Sequence, residues 1–207
     1  MPYTKDYYPN IAALKRDLVR NKHYRTKVAD KGSDVTVIAP HGGFIEAGSS
    51  YIARGVAGSN YNLYDFQGLR RHKPQRLHVT STHFRDRKLS ELLRHTRLAV
   101  SIHSMGDEAL GEIWVGGLNL PCKQRICYAL TEQGFVVNAD SPRYRGVHPA
   151  NVVNLPSEHG VQIELASDVI ASMFAMEGPP FARRATVLPT TARFDAFVAA
   201  IRSALAA

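Results

Sequence analysis

Four side chains able to do chemistry stand at or near the ends of short apolar runs. The first two lie in Ala39-Pro40-His41-Gly42-Gly43-Phe44-Ile45-Glu46, an imidazole and a carboxylate five residues apart across a Gly-Gly turn. Glycine lets a backbone turn sharply and approach a partner closely, so His41 and Glu46 can fold around one ion. The same eight residues also read as a tight turn with a solvated histidine and glutamate. His103 ends a second apolar run, residues 97–103, and Glu164 interrupts the apolar pattern of residues 160–165. Two histidines and a glutamate form a frequent catalytic zinc set, with the fourth position left to water. Zinc acidifies that water and polarises a carbonyl. A nearby carboxylate serves as general base, then as acid toward the leaving amine. Glu164 is the candidate for that task, the alternative being a buried structural ion pair.

These groups need strands whose carboxyl ends share one rim, where ligands bind in open α/β sheets. Residues 34–39 are β-branched and apolar, as a buried strand is. Residues 24–28, 60–66, 77–81, 97–103, 112–117, 135–138 and 160–165 read as further strands. Helices are expected from Asn10 to residue 20, from Ser49 or Ser50 to residue 57, from a Ser90 cap, over 121–133, near 167–176 and from about Thr191. The alternation predicts one three-layer αβα domain over residues 1–207, with a mixed, mostly parallel sheet. If the strands carrying His41 and His103 are neighbours, the two imidazoles lie side by side. Residues 141–158 form a long polar loop, of the length that is commonly functional. Gly178-Pro179-Pro180 marks a turn.

The other histidines read differently. His78 falls inside an expected strand, where a hydrogen-bonded core residue is the ordinary reading. His159, near the strand of Glu164, is a candidate for touching substrate, and His23, His72, His83, His95 and His148 fall in loops or on helix surfaces. Cys122 and Cys127 are five apart in an expected helix, a spacing that excludes a disulfide framework and a cysteine zinc site. The sequence has no His-Glu-x-x-His, no Gly-x-Ser-x-Gly, no P-loop and no Gly-x-Gly-x-x-Gly.

A formal net charge of +8 over 207 residues favours polyanionic partners. The densest basic run, Arg70-Arg71-His72-Lys73-Pro74-Gln75-Arg76, reads as a solvated loop, with a polyanion contact as the lesser reading. No apolar run reaches the roughly 18 residues of a membrane span. The first residues lack a signal-peptide core, so the expectation is a cytoplasmic, monomeric protein.

The ordered blocks at residues 39–46, Leu77-His78-Val79-Thr80-Ser81, Ser101-Ile102-His103, Val115-Gly116-Gly117-Leu118 and residues 160–165 resemble the poly-γ-glutamate hydrolase family of bacteria and phages. Some of its members carry a phage replication label. The resemblance implies a carboxypeptidase A-like fold, one Zn2+ per chain, and cleavage of the γ-amide of poly-γ-glutamate or a similar acidic amide. By matching position, His41, Glu46 and His103 are the expected zinc ligands and Glu164 the expected base. A phage origin would allow action outside the cell after lysis. Relatives tend to have Asn-x-x-Asn-Arg where this chain has Asn151-Val152-Val153-Asn154-Leu155. Leu155 cannot clamp a carboxylate or an oxyanion, so either Arg143 or Arg145 stands in or the substrate differs. Asn151, Asn154 and His78 complete the expected substrate contacts. Two other readings are a basic nucleic-acid-binding accessory protein and a zinc carboxypeptidase or deacylase of small acylated amino acids.

Overall fold

A computed structural model describes residues 6–175 and 188–206. Among them seven strands, β1 (Tyr24–Ala29), β2 (Val35–Gly43), β3 (Asn62–Gly68), β4 (Leu98–Gly106), β5 (Glu112–Gly117), β6 (Val136–Asn138) and β7 (Gly160–Ala166), are interspersed with six α-helices. The helices are α1 (Ile11–Asp17), α2 (Ser49–Ala57), α3 (Arg87–Leu93), α4 (Leu120–Glu132), α5 (Ser167–Ser172) and α6 (Ala192–Ala206). The sheet order is β1-β3-β2-β4-β7-β5-β6. Strands β3, β2, β4 and β7 form a parallel block. β1 and β5 run antiparallel to its two edges, and β6 is parallel to β5.

The block is buried on both faces, which is why its strands read as continuous runs. Val35, Val37 and Ala39 of β2 and Val161, Ile163 and Leu165 of β7 join Ile52, Val56, Ile126, Phe197 and Ile201 from α2, α4 and α6 in one core. Ile38, Ala99, Tyr64 and Phe66 share a second core with Ile11 and Leu14 of α1 and with Leu89 and Leu92 of α3. Three αβα layers result, as the alternation of elements predicts. Among the described residues no helix is long and apolar enough to cross a membrane.

Several boundaries differ from expectation. Pro40 does not end β2. Pairing with β4 stops at Ile38↔Ser101, but pairing with β3 resumes at Gly42↔Gln67 after a bulge. Residues 78–81 are not a strand. Leu77 closes a 3-10 turn, and the backbone beyond it makes scattered bonds rather than a ladder: Thr80 N–H donates to Asp6, the Val79 carbonyl accepts from His41, and the Ser81 carbonyl accepts from Val152 N–H. Asn10 caps α1 as expected, but Asp86 rather than Ser90 caps α3, and Gly48 precedes α2. Ser49 and Ser50 sit buried within the first turn of α2. The expected turn at residues 178–180 lies outside the described residues.

Candidate metal centre

The three parallel strands that carry the candidate residues end at one rim. β2 and β4 are neighbours, and His103 on β4 is paired in register with Glu164 on β7. Side-chain alternation puts Ile102, Ile163 and Leu165 in the α2/α4/α6 core and leaves His103 and Glu164 on the opposite face. His41 continues the odd series Val35, Val37, Ala39, whose members face the α2/α4/α6 core. The bulge between Ala39 and Gly42 breaks that alternation. The His41 ring accordingly lies across the sheet, against Phe84 and 5.1 Å from the His103 ring centroid.

The two glycines after His41 are required by space and backbone. A Cβ on Gly42 would strike the Ser50 hydroxyl and the Asp65 carboxylate, and one on Gly43, at φ +70°, would strike the Gly68 carbonyl. The turn is fastened from behind: Gly43 N–H donates to Ser50 Oγ (2.9 Å), which donates to the buried Asp65 carboxylate (2.6 Å). Glu46 N–H then donates back to the His41 carbonyl, bringing the Glu46 carboxylate beneath both imidazoles.

Val79 O can only accept, so its 2.8 Å contact places the proton of His41 on Nε2. Burial lowers the His41 pKa and favours the neutral ring. The Nδ1 lone pair of a neutral ring then faces Glu46 Oε1 at 2.7 Å, two acceptors converging on one space. Such a pair calls for a shared cation. A ligating imidazole that gives its other N–H to a backbone carbonyl is the usual arrangement around a bound metal ion. Glu46 Oε2 lies 3.2 Å from His103 Nδ1 and accepts from Ser104 N–H at 3.2 Å. Among the described residues, His103 Nε2 is buried with no hydrogen-bond partner. The donor set therefore fits a divalent cation of intermediate softness, zinc above all.

Each of His41, Glu46 and His78 offers a ligand atom within 4.8 Å of the others. His78 stacks 4.1 Å from the His41 ring centroid and holds Asp6 through Nδ1 at 2.7 Å. The hydrogen bond expected of it is present, but His78 lies in the cleft wall beside His41 and not inside a strand.

Charges in the cluster are interdependent. Burial works against the Glu46 charge, but positive charge on the neighbouring imidazoles, on His41 whenever that ring is protonated and on His103, holds the carboxyl well below the usual range. Burial disfavours a charged His103 too, yet the Glu46 and Glu164 carboxylates raise its pKa. Glu164 is pushed up to about 8 by burial, opposed by His103 and reinforced by the Glu46 charge. A carboxyl so placed can hold or release a proton near neutral pH. Its position is set by a relay in which Asn151 Nδ2 donates to Gln162 Oε1 (2.8 Å) and Gln162 Nε2 donates to Glu164 Oε1 (2.9 Å).

The centre forms the floor of a cleft of about 2050 Å³. Its walls include Arg143, Arg145 and Asn151, together with Arg71, Lys73 and Arg76 of the basic loop. Arg143 is tied to Glu108 at 2.6 Å, and Tyr144 Oη donates to the same carboxylate at 2.9 Å. The Arg145 side chain is exposed. Asn154 is absent from the cleft wall: its amide bonds Gly146 O, His148 O and Leu118 N–H, holding the long loop closed. Leu155 also lies outside the wall and is 40% exposed. His159 sits just before β7, at the end opposite Glu164, and bonds the Asn154 carbonyl. Asp6 and Tyr144 carry no sequence signal. Gln162 does carry one, since it shares the strand face of Glu164 two residues away.

A family model described as poly-gamma-glutamate hydrolase matches residues 8–200. The chain belongs to that family. It is 32% identical to the UPF0714 protein YndL of Bacillus subtilis (strain 168) over 179 residues, 84% of this chain and 69% of YndL. It is also 32% identical to the SPbeta prophage-derived UPF0714 protein YoqZ of the same strain, over 82% of this chain and 62% of that one, so it spans under two thirds of YoqZ. A solved structure of a bacteriophage poly-gamma-glutamate hydrolase superposes with a TM-score of 0.91 at 32% identity, covering 98% of this chain and 97% of the other. YndL in an apo, zinc-free state gives a TM-score of 0.86 at 30% identity, with 98% of each chain covered. The family and its solved bacteriophage counterpart are hydrolases.

Proposed function

We propose that this member of the family is a zinc-dependent hydrolase of γ-glutamyl amide bonds in poly-γ-glutamate or a closely similar acidic amide. The observation that carries the reading is the convergence of His41 Nδ1 and Glu46 Oε1 beside His103. These three are the proposed ligands. His78, backed by Asp6, is the neighbour that orders the His41 ring. When bound, zinc would supply a Lewis acid that polarises the amide carbonyl and acidifies a water molecule. The rest of the chemistry belongs to the chain. Glu164 takes the proton of the attacking water and returns it to the amine as the C–N bond breaks, so a pKa raised toward neutral suits both steps. Gln162 fixes the Glu164 carboxylate. Arg145, exposed at the cleft wall, is the proposed contact for a substrate carboxylate, since Arg143 is held by Glu108. Residence in the cytoplasm as a monomer, with release on lysis, belongs to the same proposal.

The test is elemental analysis of the purified protein, then hydrolysis of γ-linked and α-linked polyglutamate with and without chelator. One zinc per chain and chelator-sensitive release of fragments from the γ-linked polymer alone are expected. Equal cleavage of both polymers, or indifference to the chelator, would overturn the reading.

A further inference from the structure

The basic loop at residues 70–76 is built into the wall of the cleft, beside the Glu46 loop. Its 3-10 turn, Pro74–Leu77, is anchored by the buried side chain of Leu77. Gln75 Nε2 donates to the carbonyl of Ile45 at 2.7 Å, the residue immediately before Glu46. The loop is thereby hydrogen-bonded to the candidate metal loop, and its cations keep a fixed distance from the floor.

Three of those cations, Arg71, Lys73 and Arg76, are exposed and line the cleft. Among the described residues none of the three is in an ion pair with a carboxylate. The two arginines are held by aromatic faces instead. The Arg71 guanidinium lies 5.2 Å from the Phe44 ring centroid and that of Arg76 5.1 Å from the Tyr7 ring. Stacking fixes a guanidinium while leaving its N–H edge able to meet an anion. By contrast, the cleft's other charged groups are largely engaged. Asp107 accepts from Ser167, Glu108 from Arg143 and Tyr144, and Asp168 from Gly111 N–H. Hydrogen bonds leave the charges of Asp107 and Asp168 in place, but those carboxylates follow β4 and β7, whereas the loop that follows β3 presents cations without a carboxylate partner.

The loop follows β3, whereas Glu164 stands on β7, three strand spacings away in the order β3-β2-β4-β7. That is roughly 15 Å across the strand ends. The strand order roots the loop on the opposite side of the cleft floor from Glu164, so an anion seated on its cations is taken as part of a glutamyl unit beyond the scissile one.

We propose that Arg71, Lys73 and Arg76 form a carboxylate-binding rim that grips glutamyl units several residues from the scissile bond, so that the loop sets a preference for long polyanionic chains. The inference rests on the γ-glutamyl hydrolase reading above.

The experiment compares the wild type with Arg71→Gln/Lys73→Gln/Arg76→Gln, three exposed replacements that leave Gln75 and Leu77 in place. Steady-state hydrolysis is measured on long poly-γ-glutamate and on a γ-linked glutamate trimer, from low to moderate salt. For the polymer, KM should rise about tenfold, the scale of three exposed charge pairs together, with kcat changed less than twofold. The steep salt dependence of KM in the wild type should flatten in the variant. Trimer kinetics should move less than twofold. Equal losses on trimer and polymer, or an unchanged polymer KM, overturn the rim. Anisotropy binding of labelled poly-γ-glutamate and of labelled single-stranded DNA to chelator-treated protein keeps the two claims apart. If the wild type cleaves no γ-linked polymer, the hydrolase reading falls, and loss of polymer binding in the variant still supports the rim. If the variant loses DNA binding but keeps polymer binding, the rim serves a nucleic acid and the proposal is overturned.

Discussion

Replacing Glu164 with Gln keeps the shape of the side chain and an oxygen able to accept from Gln162, but removes the proton-accepting carboxylate. A positioned general base contributes about 10²- to 10⁴-fold, equivalent to roughly 3–5 kcal/mol of barrier. We expect kcat to fall by that factor while zinc content, read by elemental analysis, stays at the wild-type level. Burial makes a second, independent prediction. The Glu164 pKa rises from an ordinary 4.5 to about 8 in the folded chain. A group with a raised folded pKa gives its full stability below its unfolded pKa and loses it as pH rises through the folded value. Metal-stripped wild type should therefore lose stability between about pH 4.5 and pH 8 on account of Glu164, by a few kcal/mol at pH 7. The glutamine variant does not pay that penalty. Its melting temperature should exceed that of the wild type by a margin that widens from pH 5 to pH 8, on the order of 5–10 °C at pH 7. Full activity in the variant would refute the base assignment. A melting difference that shrinks with rising pH would refute the account of the burial.

The remaining expectations are narrower. His103→Ala should lower zinc occupancy sharply, whereas His78→Ala should keep most of the zinc and lose activity through a loosened His41 ring; the reverse pattern in elemental analysis would exchange their roles. Gly43→Ala forces a Cβ onto a residue at φ +70° facing the Gly68 carbonyl, and should cost about 1–3 kcal/mol in chemical denaturation along with metal affinity. Cys122 is fully buried and its thiol is pushed up to about 11 by that burial, so it should resist alkylation at pH 8 until the chain is unfolded.

The residues by themselves determined the order of most elements and which side chains were candidates for chemistry. Val35-Thr36-Val37-Ile38 and Gly160-Val161-Gln162-Ile163 are buried on both faces, and runs of that kind announce themselves as strands without knowledge of their neighbours. His41 and Glu46 lie close enough in sequence for one turn to join them, so their approach to one another was legible locally. Residues 77–81 misled for the opposite reason. Leu77 and Val79 alternate like a strand, but their burial comes from the α1/α3 core, and the Val79 carbonyl and Thr80 N–H meet the side chains of His41 and Asp6 instead of a ladder. Asn154 and Leu155 could not be placed because the packing of the long loop decides which of its residues face the cleft.

Only the tertiary structure decided the rest. Strand order made His103 and Glu164 partners in register, and the bulge after Ala39 brought His41 to their face. Asp6 reaches His78 across 72 positions of sequence, and Asn151 reaches Glu164 through Gln162. A sequence states which groups are able to bind, titrate or turn. Which of them share a buried space depends on long-range pairing and on the competition between burial and charge, and neither exists until the strands have met.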